Sequence, residues 1–344
     1  MRALRRAART LLEMGRRRRC AAVVLVYHRV ANVAVDPWSV CVSPDHLSDH
    51  LEILARYARP LQAADLVQRV ANGADGKHVV AVTFDDGYAD LLLAAQLLER
   101  TGVPATVFIT SGALDSHDEF WWDTVERALL HDRPLPERLR LTVGSATREW
   151  RLGGAPSAAA SGGDAWRAWE PPPTRRHAVY RDVWEALLGL TVADRSRAVA
   201  ELLAWASIDA AARPTHRTLR AQELSALAAA DVVEIGAHSV THSSLAALSP
   251  AEQEAEISGS RETLRTLLGR EVRTFAFPFG KPELVGSHAL VTVRRARFTA
   301  AFLNVAGVVT SRTDRFGVPR VFVDDMDGDA FGKLLWRTAG IRIG

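Results

Sequence analysis

The chain has 344 residues, 48% of them hydrophobic, and carries a formal net charge of +3. A chain of this length can bury a large core, either as one barrel or as two smaller domains. Its two cysteines are too few for a disulfide framework or a thiolate metal site, so both classes are excluded and a reduced environment is the default.

The first predicted element is a basic arm at residues 1–20, where eight arginines fall within the first 19 positions. A solvated extension, a helix lying on anionic lipid and a nucleic-acid tail all remain open for it. The apolar run that follows, at 21–27, is rich in β-branched residues and lacks a small-residue cleavage site. It therefore predicts a strand rather than a signal peptide. No stretch approaches the ~18 apolar residues of a membrane span.

Short β-branched runs recur along the chain, and helical patterns follow them. Apolar strands that alternate with helices indicate a parallel sheet covered on both faces. A doubly wound sheet and a closed (β/α) barrel both satisfy this pattern. The seven predicted strands are 22–28, 78–86, 105–111, 232–239, 274–280, 298–304 and 320–324.

Three helices carry clear sequence signals. Pro44 opens one, a second is predicted from Tyr88 to Leu98, and Pro250 opens a long third helix that ends before Gly269. Residues 117 to about 220 break the rhythm and predict a largely helical insertion after the third strand. The insertion includes a hairpin at 139–152, a stretch of small residues and prolines at about 153–173, and helices at 177–190 and 193–208.

Two strand ends carry residues suited to chemistry, and parallel α/β folds place their sites at the carboxyl ends of strands. Asp85 and Asp86 are adjacent, and on an extended backbone their side chains would project to different sides. His238 and His242 are four residues apart, so a helical turn there would put both on one side.

Two imidazoles and one carboxylate are the ligand set of a catalytic divalent metal with open positions for water. Such a metal makes water more acidic and polarises an acyl oxygen, and a free carboxylate nearby can accept the proton. The pattern predicts hydrolysis of an amide or an ester. Each fragment alone has an ordinary structural interpretation, since Asp-Gly is a common turn pair and spaced histidines occur on helix surfaces.

With these residues, the sequence resembles the polysaccharide deacetylases of carbohydrate esterase family 4, and the resemblance covers most of residues 22–325. TFDDG is similar to the family's first motif, which implies that Asp85 is the general base and Asp86 a metal ligand. HSVTH is similar to the second motif, which implies that His238 and His242 complete the metal site. The openings VLVYHRV and VSPDHLSDHLEIL also look like those of bacterial members.

TFAFPFG is similar to the third motif, which implies that Phe277, Pro278 and Phe279 form a wall of the substrate groove. The resemblance implies an α/β fold, a distorted (β/α)7 barrel, spanning residues 21–344 with the insertion at about 117–220. It also implies metal-assisted removal of an acetyl group from an N-acetylated sugar.

The sequence departs from the family at two places. The third motif usually carries an Arg that braces the catalytic Asp, and Ala276 stands there, so Arg273 and Arg320 are candidates for that role. The last motif normally supplies a histidine that protonates the leaving amine, and the segment VPRVFVDD has none. His28 and His117 are the candidate replacements, and Asp324 and Asp325 are further candidates for a proton-shuttle or Arg-bracing role, a solvated loop being the alternative.

Several side chains are candidate contacts for a sugar. Trp121 and Trp122 can pack on a sugar ring or form the core of the insertion. Trp166 and Trp169 lie in the small-residue stretch and could form a lid. The residues predicted to bind substrate are His28, Trp121, Trp122, Phe277, Pro278, Phe279 and Arg320.

The leading hypothesis is a metal-dependent hydrolase that removes an N-acetyl group from a sugar in a glycan, a glycan precursor or a glycosylated small molecule. One divalent ion is expected, zinc first, with cobalt, nickel and iron as alternatives. The second hypothesis is a catalytically inactive carbohydrate-binding protein that keeps the metal cage. The expected location is the cytoplasm, with the basic arm touching the inner face of the membrane, and nucleic acid is not an expected partner.

Overall fold

The computed structural model describes residues 21–131, 133–153 and 166–343, so the predicted basic arm lies outside the described residues. The strands are β1 (Val23–Tyr27), β2 (Arg29–Val30), β3 (Cys41–Val42), β4 (Arg59–Pro60), β5 (Val79–Phe84), β6 (Ala105–Ile109), β7 (Arg138–Val143), β8 (Ala146–Arg151), β9 (Val233–Ala237), β10 (Thr274–Ala276), β11 (Ala300–Phe302) and β12 (Val321–Phe322). The helices are α1 (Pro44–Tyr57), α2 (Ala63–Ala71), α3 (Leu91–Thr101), α4 (Trp121–Leu129), α5 (Arg175–Leu188), α6 (Val192–Ala206), α7 (Ala221–Ala228), α8 (Pro250–Leu268), α9 (Pro282–Arg295) and α10 (Gly328–Ala339).

The main sheet is parallel and curls into a barrel. Its strands follow the order β11-β10-β9-β6-β5-β1-β12, and β4 pairs with the start of β5. Val318, just before β12, bridges to Phe302 of β11, so the two edges of the sheet meet. All the predicted strands are present, and the predicted distorted (β/α) barrel is confirmed.

The barrel strands are buried on both faces, and alternate residues pack into two different cores. In β1, Leu25 and Tyr27 pack into the core shared with the surrounding helices, whereas Val24 packs into a second core with Phe108 and Phe302. The rings of Phe108 and Phe302 lie 5.4 Å apart and fill the barrel. Gly236 is required beside them, because a Cβ there would lie 2.4 Å from the Phe108 ring.

The predicted helix boundaries are accurate where capping residues fix the ends of the helix. Ser249 and Glu252 form a capping box at the start of α8, and Gly269 ends it with a φ of 63°, as predicted. The helix predicted to begin at Tyr88 instead begins at Leu91. Tyr88 forms a bridge to Thr218 and is held in the turn before α3.

The insertion has a core of its own. The predicted hairpin is present as β7 and β8, and it packs with α4, α5 and α6 around buried Leu139, Tyr180 and Leu202. Trp166 is buried in this core, whereas Trp169 is 60% exposed. Within the residues that the structure describes, no helix has the length and apolar character to cross a membrane.

His50 of α1 makes the stability of the barrel sensitive to acid. Its Nδ1 lies 3.2 Å from Tyr27 Oη and its Nε2 donates to the Met326 carbonyl at 2.8 Å, while its ring stacks on Phe331. Burial lowers the pKa of His50 from 6.5 to about 4. The unfolded chain therefore binds a proton that the folded protein excludes between these two values.

We expect the free energy of unfolding to fall by up to about 3 kcal/mol as the pH drops from 6.5 to 4, from this group alone. Urea unfolding measured across that pH range checks this, with His50→Gln as the comparison. Because glutamine does not titrate, the variant should lose stability less steeply as the pH falls. Equal slopes in the two proteins would contradict the assignment.

Candidate active site

Asp85 and Asp86 lie in a turn directly after β5, at the carboxyl end of the barrel strands. Asp85 continues the row of β5 side chains that includes Thr83. Asp86 has a φ of 75° and Gly87 a φ of 94°, so the backbone is left-handed at this point. The prediction that an extended backbone separates the two carboxylates is therefore wrong, because the left-handed turn separates them.

Asp85 is paired with Arg320, the residue before β12. Arg320 Nη1 donates to Asp85 Oδ1 at 2.7 Å and Nη2 donates to Oδ2 at 2.6 Å, a bidentate ion pair. Burial alone would raise the pKa of Asp85, but the charge of Arg320, followed by that of His238, holds it below its ordinary value. Asp85 is therefore an ionised carboxylate in a buried site.

Arg320 occupies the bracing role that Ala276 leaves open. It is 1% exposed and also contacts Thr83 Oγ1 at 3.3 Å, so its guanidinium serves Asp85 rather than a bound substrate. Arg273, the other candidate, precedes β10 at the opposite end of the barrel. There it pairs with Glu234 at 2.8 Å and cannot brace Asp85.

Asp86, His238 and His242 come together as a candidate metal centre. One donor atom from each lies within 4.8 Å of the other two, and all three residues are buried. His242 Nε2 lies 3.1 Å from Asp86 Oδ1, and His238 Nε2 lies 3.4 Å from the same oxygen. Burial alone would raise the pKa of Asp86, but hydrogen bonds from the two histidines hold it well below its ordinary value.

The donor set fits a divalent metal. His238 Nδ1 lies 2.7 Å from the Ala276 carbonyl oxygen, which can only accept, so Nδ1 carries a proton and Nε2, on the side of Asp86, is the nitrogen available to a metal ion. Histidines that bind metal usually donate their other N–H in this way. Two imidazole nitrogens and a carboxylate form a three-ligand set of the kind that zinc uses in catalytic sites.

The two histidines lie on an irregular loop between β9 and the 3₁₀ turn Leu245–Ala247, so it is this loop and not a helical turn that puts them on one side. The loop places them through left-handed φ values of 63° at Ser239 and 53° at His242. Ser239 Oγ accepts a hydrogen bond from His242 N at 3.0 Å. Gly112 N donates to the Val240 carbonyl at 2.9 Å, and a Cβ on Gly112 would lie only 2.6 Å from that oxygen.

Two of the predicted aromatic residues reach the metal centre. The ring of Trp122 lies 4.6 Å from that of His242, and Phe279 lies 4.7 Å from it on another side. Trp121 instead packs on Trp184 in the core of the insertion. The other two residues of the predicted groove wall, Phe277 and Pro278, are buried.

His28, at the end of β1, lies beside both carboxylates. Its charge lowers the pKa of Asp85, after burial and the charges of Arg320 and His238, and it also acts on Asp86. The His28 Nδ1 atom is buried and has no hydrogen-bond partner among the described residues. A buried nitrogen without a hydrogen-bond partner is suited to a ligand or a transferred proton.

The other proton-donor candidates lie outside the centre. His117 is exposed in the loop before α4. Asp325 accepts hydrogen bonds from Ser43 N and His46 Nδ1, and Asp324 is exposed beside it. These two aspartates therefore belong to the solvated loop after β12.

Sequence reasoning missed a polar relay behind Trp122. Trp122 Nε1 donates to Tyr88 Oη at 2.8 Å, and Tyr88 Oη donates to Asp123 Oδ2 at 2.6 Å. Burial raises the pKa of Asp123 to about 8. The signal that could have identified the relay is Tyr88, a residue with a polar hydroxyl that directly follows Asp85-Asp86-Gly87.

The sequence profile of the family described as "Polysaccharide deacetylase" matches residues 72–133 and 189–298, which together are half of the chain. The chain belongs to the polysaccharide deacetylase family. The family predicted from the motifs is thus confirmed, and it implies a hydrolase that acts on N-acetyl groups of glycans. The unmatched residues between the two segments include the hairpin and α5 of the insertion.

Solved structures of deacetylases share this fold. The Streptococcus pyogenes deacetylase PplD, in complex with acetate, aligns with a TM-score of 0.57 and 15% identity, over 93% of this chain and 98% of that chain. IcaB from Ammonifex degensii aligns with a TM-score of 0.55 and 15% identity, over 93% of this chain and 97% of that chain. At these identities the likeness concerns the fold alone. No curated protein matches the chain in sequence.

Proposed function

We propose that this member of the family is a metal-dependent hydrolase that removes the N-acetyl group from an N-acetylated sugar. The observation that carries the proposal is the buried pairing of a ligand set with a separate carboxylate. Asp86, His238 and His242 supply the ligand set. Asp85 lies beside them, kept ionised by Arg320, and is not needed as a ligand.

The ligand residues and Asp85 would have separate roles in the reaction. Asp86, His238 and His242 would hold a divalent ion, most favourably zinc, which supplies Lewis acidity toward the acyl oxygen and a water molecule. Asp85 would accept the proton that the attacking water loses. The Arg320 pair fixes both oxygens of Asp85, so this carboxylate keeps one orientation during the reaction.

The aromatic residues would orient the sugar. Trp122 and Phe279 flank His242, and aromatic faces pack well on the apolar faces of sugar rings. The relay through Tyr88 to Asp123 holds the indole of Trp122 in one orientation. The two rings lie 6.2 Å apart and contact each other edge to face, so a sugar packed against this pair would present its N-acetyl group to the metal centre.

We assign His28 the role of proton donor to the leaving amine, because its buried Nδ1 has no partner among the described residues and it follows Tyr27, which pairs in register with Phe84, the residue before Asp85. His28→Gln should lower kcat by about 100-fold with little change in bound metal, since general acid catalysis contributes roughly 10²–10⁴-fold. Steady-state kinetics on an N-acetylated sugar check this, with exposed His117→Gln as the matched control. A His28→Gln enzyme as active as His117→Gln would remove this assignment.

The substrate class follows from the proposed reaction: an N-acetylhexosamine unit in a glycan, a glycan precursor or a glycosylated small molecule. We propose the cytoplasm as the location, with a lipid-linked or nucleotide-linked precursor as the substrate there. Membrane fractionation of the full chain and of a chain lacking residues 1–19 tests the proposed contact of the basic arm with the inner membrane face. Equal fractionation of the two would reject that contact.

A catalytically inactive carbohydrate-binding protein is the second candidate, because no histidine occupies the last motif of the family. Ala276 in the third motif does not favour this candidate, because Arg320 braces Asp85 from another part of the chain.

Acetate release from N-acetylglucosamine oligosaccharides separates the two candidates. Release by the zinc-loaded wild type and not by Asp85→Asn supports the hydrolase. Oligosaccharide binding without release, under zinc, cobalt, nickel or iron, supports the binding protein. Formate release from N-formyl sugars, and release from O-acetyl esters, test the other acyl groups and bonds.

A further inference from the structure

The loop that carries both histidines is held from outside by one carboxylate. Glu256, on α8, accepts hydrogen bonds through Oε2 from Val240 N at 2.9 Å and Thr241 N at 2.8 Å. Its Oε1 accepts from Thr241 Oγ1 at 2.6 Å. Glu256 is buried, so these three donors replace the water that a carboxylate would otherwise bind.

A chain of hydroxyl groups extends from this carboxylate to the insertion. Thr241 Oγ1 lies 2.8 Å from Ser243 Oγ, and Ser243 Oγ lies 3.2 Å from Arg195 Nη2 of α6. Because an ionised carboxylate only accepts, Thr241 donates to Glu256, Ser243 donates to Thr241, and Arg195 donates to Ser243. The chain therefore runs in one direction, from a buried cation to a buried anion.

Arg195 is an unusual member of the insertion core. It is 4% exposed, and its guanidinium lies 5.6 Å from the centre of the Trp121 ring. Burial lowers the pKa of Arg195, and the negative charge of Glu256 opposes that shift. The carboxylate that compensates the charge of Arg195 is therefore that of Glu256, which lies on α8, on the other side of the histidine loop.

The loop needs such support because its backbone is costly. Ser239 and His242 both have positive φ values, and residues other than glycine hold such conformations only when their surroundings fix them. Glu256 accepts hydrogen bonds from Val240 and Thr241, the two residues that separate the strained positions Ser239 and His242. Relaxation of either strained residue would move an imidazole away from Asp86.

We infer that Glu256 and Arg195 are positioning residues that clamp the loop 238–243 from opposite sides, so that the insertion sets the geometry of the metal centre. The inference rests on the proposed function for its consequence, metal binding, whereas the hydrogen bonds of the clamp involve none of the three ligand side chains. The insertion would then serve the metal centre directly, in addition to placing Trp122 beside it.

Hydrogen exchange of the metal-free protein tests the clamp. In Glu256→Gln, the amides of Val240 and Thr241 should exchange at least about tenfold faster than in the wild type, since one strong acceptor becomes a weaker neutral one. The matched control is Ser260→Ala, one turn further along α8, where a buried hydroxyl donates to the Ile257 carbonyl within the same helix and has no other hydrogen bond to the described residues. Unchanged exchange in Glu256→Gln would overturn the inference.

Zinc affinity tests the consequence. Arg195→Met and Glu256→Gln should each weaken zinc binding by about 10- to 100-fold, the usual cost of losing an outer-shell partner. The double variant should lose less than the sum of the two, because both break one chain, and Arg195→Lys should recover part of the loss by keeping a donor and a charge. Ser243→Ala, which interrupts the chain with a minimal change, should abolish this coupling.

Failure of the clamp and failure of the proposed function give different results. A wild type that binds no zinc would reject the proposed metal centre, while the amide exchange of Val240 and Thr241 would still decide the clamp. Tight zinc binding that Arg195→Met and Glu256→Gln leave unchanged would keep the metal centre and reject the positioning role. Losses as large in Ser260→Ala would assign the effect to general destabilisation of α8 and would also reject it.

Discussion

Asp85→Asn is expected to keep its bound metal and to lose turnover by about 10²–10⁴-fold, the range attributed to a general base. Asparagine is close in size to aspartate but cannot accept a proton from water. The metal ligands are other residues, Asp86, His238 and His242, so metal binding should survive. The measurement is kcat for acetate release, normalised to the metal content of each preparation.

Asp324→Asn is the matched control, because it changes an exposed carboxylate after β12 in the same way. It should leave kcat within a few-fold of the wild type. Since Asp85→Asn also leaves Arg320 without its anion, circular dichroism should show that the variant is folded at the assay temperature. Full activity in folded Asp85→Asn would show that another group is the base.

Of the substitutions proposed for the site, Arg320→Met should cause the largest fall in the free energy of unfolding. Removing one partner of a buried ion pair costs about 3–5 kcal/mol, because the other charge stays buried without compensation. Asp85 would keep the weaker influence of His238, whose Nε2 lies 4.0 Å away, and of His28. The pKa of Asp85 should rise, and activity should then appear only at higher pH.

Arg273→Met is the control for this change, because Arg273 is also an arginine before a barrel strand but its side chain is 45% exposed. Its loss should cost at most about 1 kcal/mol. Urea unfolding of both variants measures the difference, and adding Asp85→Asn to Arg320→Met should restore part of the stability. Equal stabilities of the two single variants would contradict the structural role of the pair.

The barrel could be predicted from the sequence because its strands are buried on both faces, which leaves continuous apolar runs such as VVLVY and VVAVTF. The ends of those runs also located the site, since strand ends and site residues coincide in this fold. The hairpin and the long helix α8 were predictable from Gly144 and from the Ser249 capping box, which act locally.

The details of the site were not predictable because they depend on tertiary contacts. Arg320 is 235 residues from Asp85, and only closure of the barrel brings them together. The spacing of His238 and His242 suggested a helical turn, whereas Glu256 stabilises an irregular loop there. Asp86 adopts a left-handed conformation that no periodicity reveals. In the first two cases the deciding partner, Arg320 or Glu256, lies on another element of the fold.

The most direct test of the central claim is the metal content of the purified protein, measured by elemental analysis after dialysis against zinc-containing buffer. His238→Ala, prepared identically, is the comparison. The account predicts about one divalent ion per wild-type chain and almost none in the variant. A wild type without bound metal, or a His238→Ala protein that binds as much as the wild type, would contradict the metal centre of Asp86, His238 and His242.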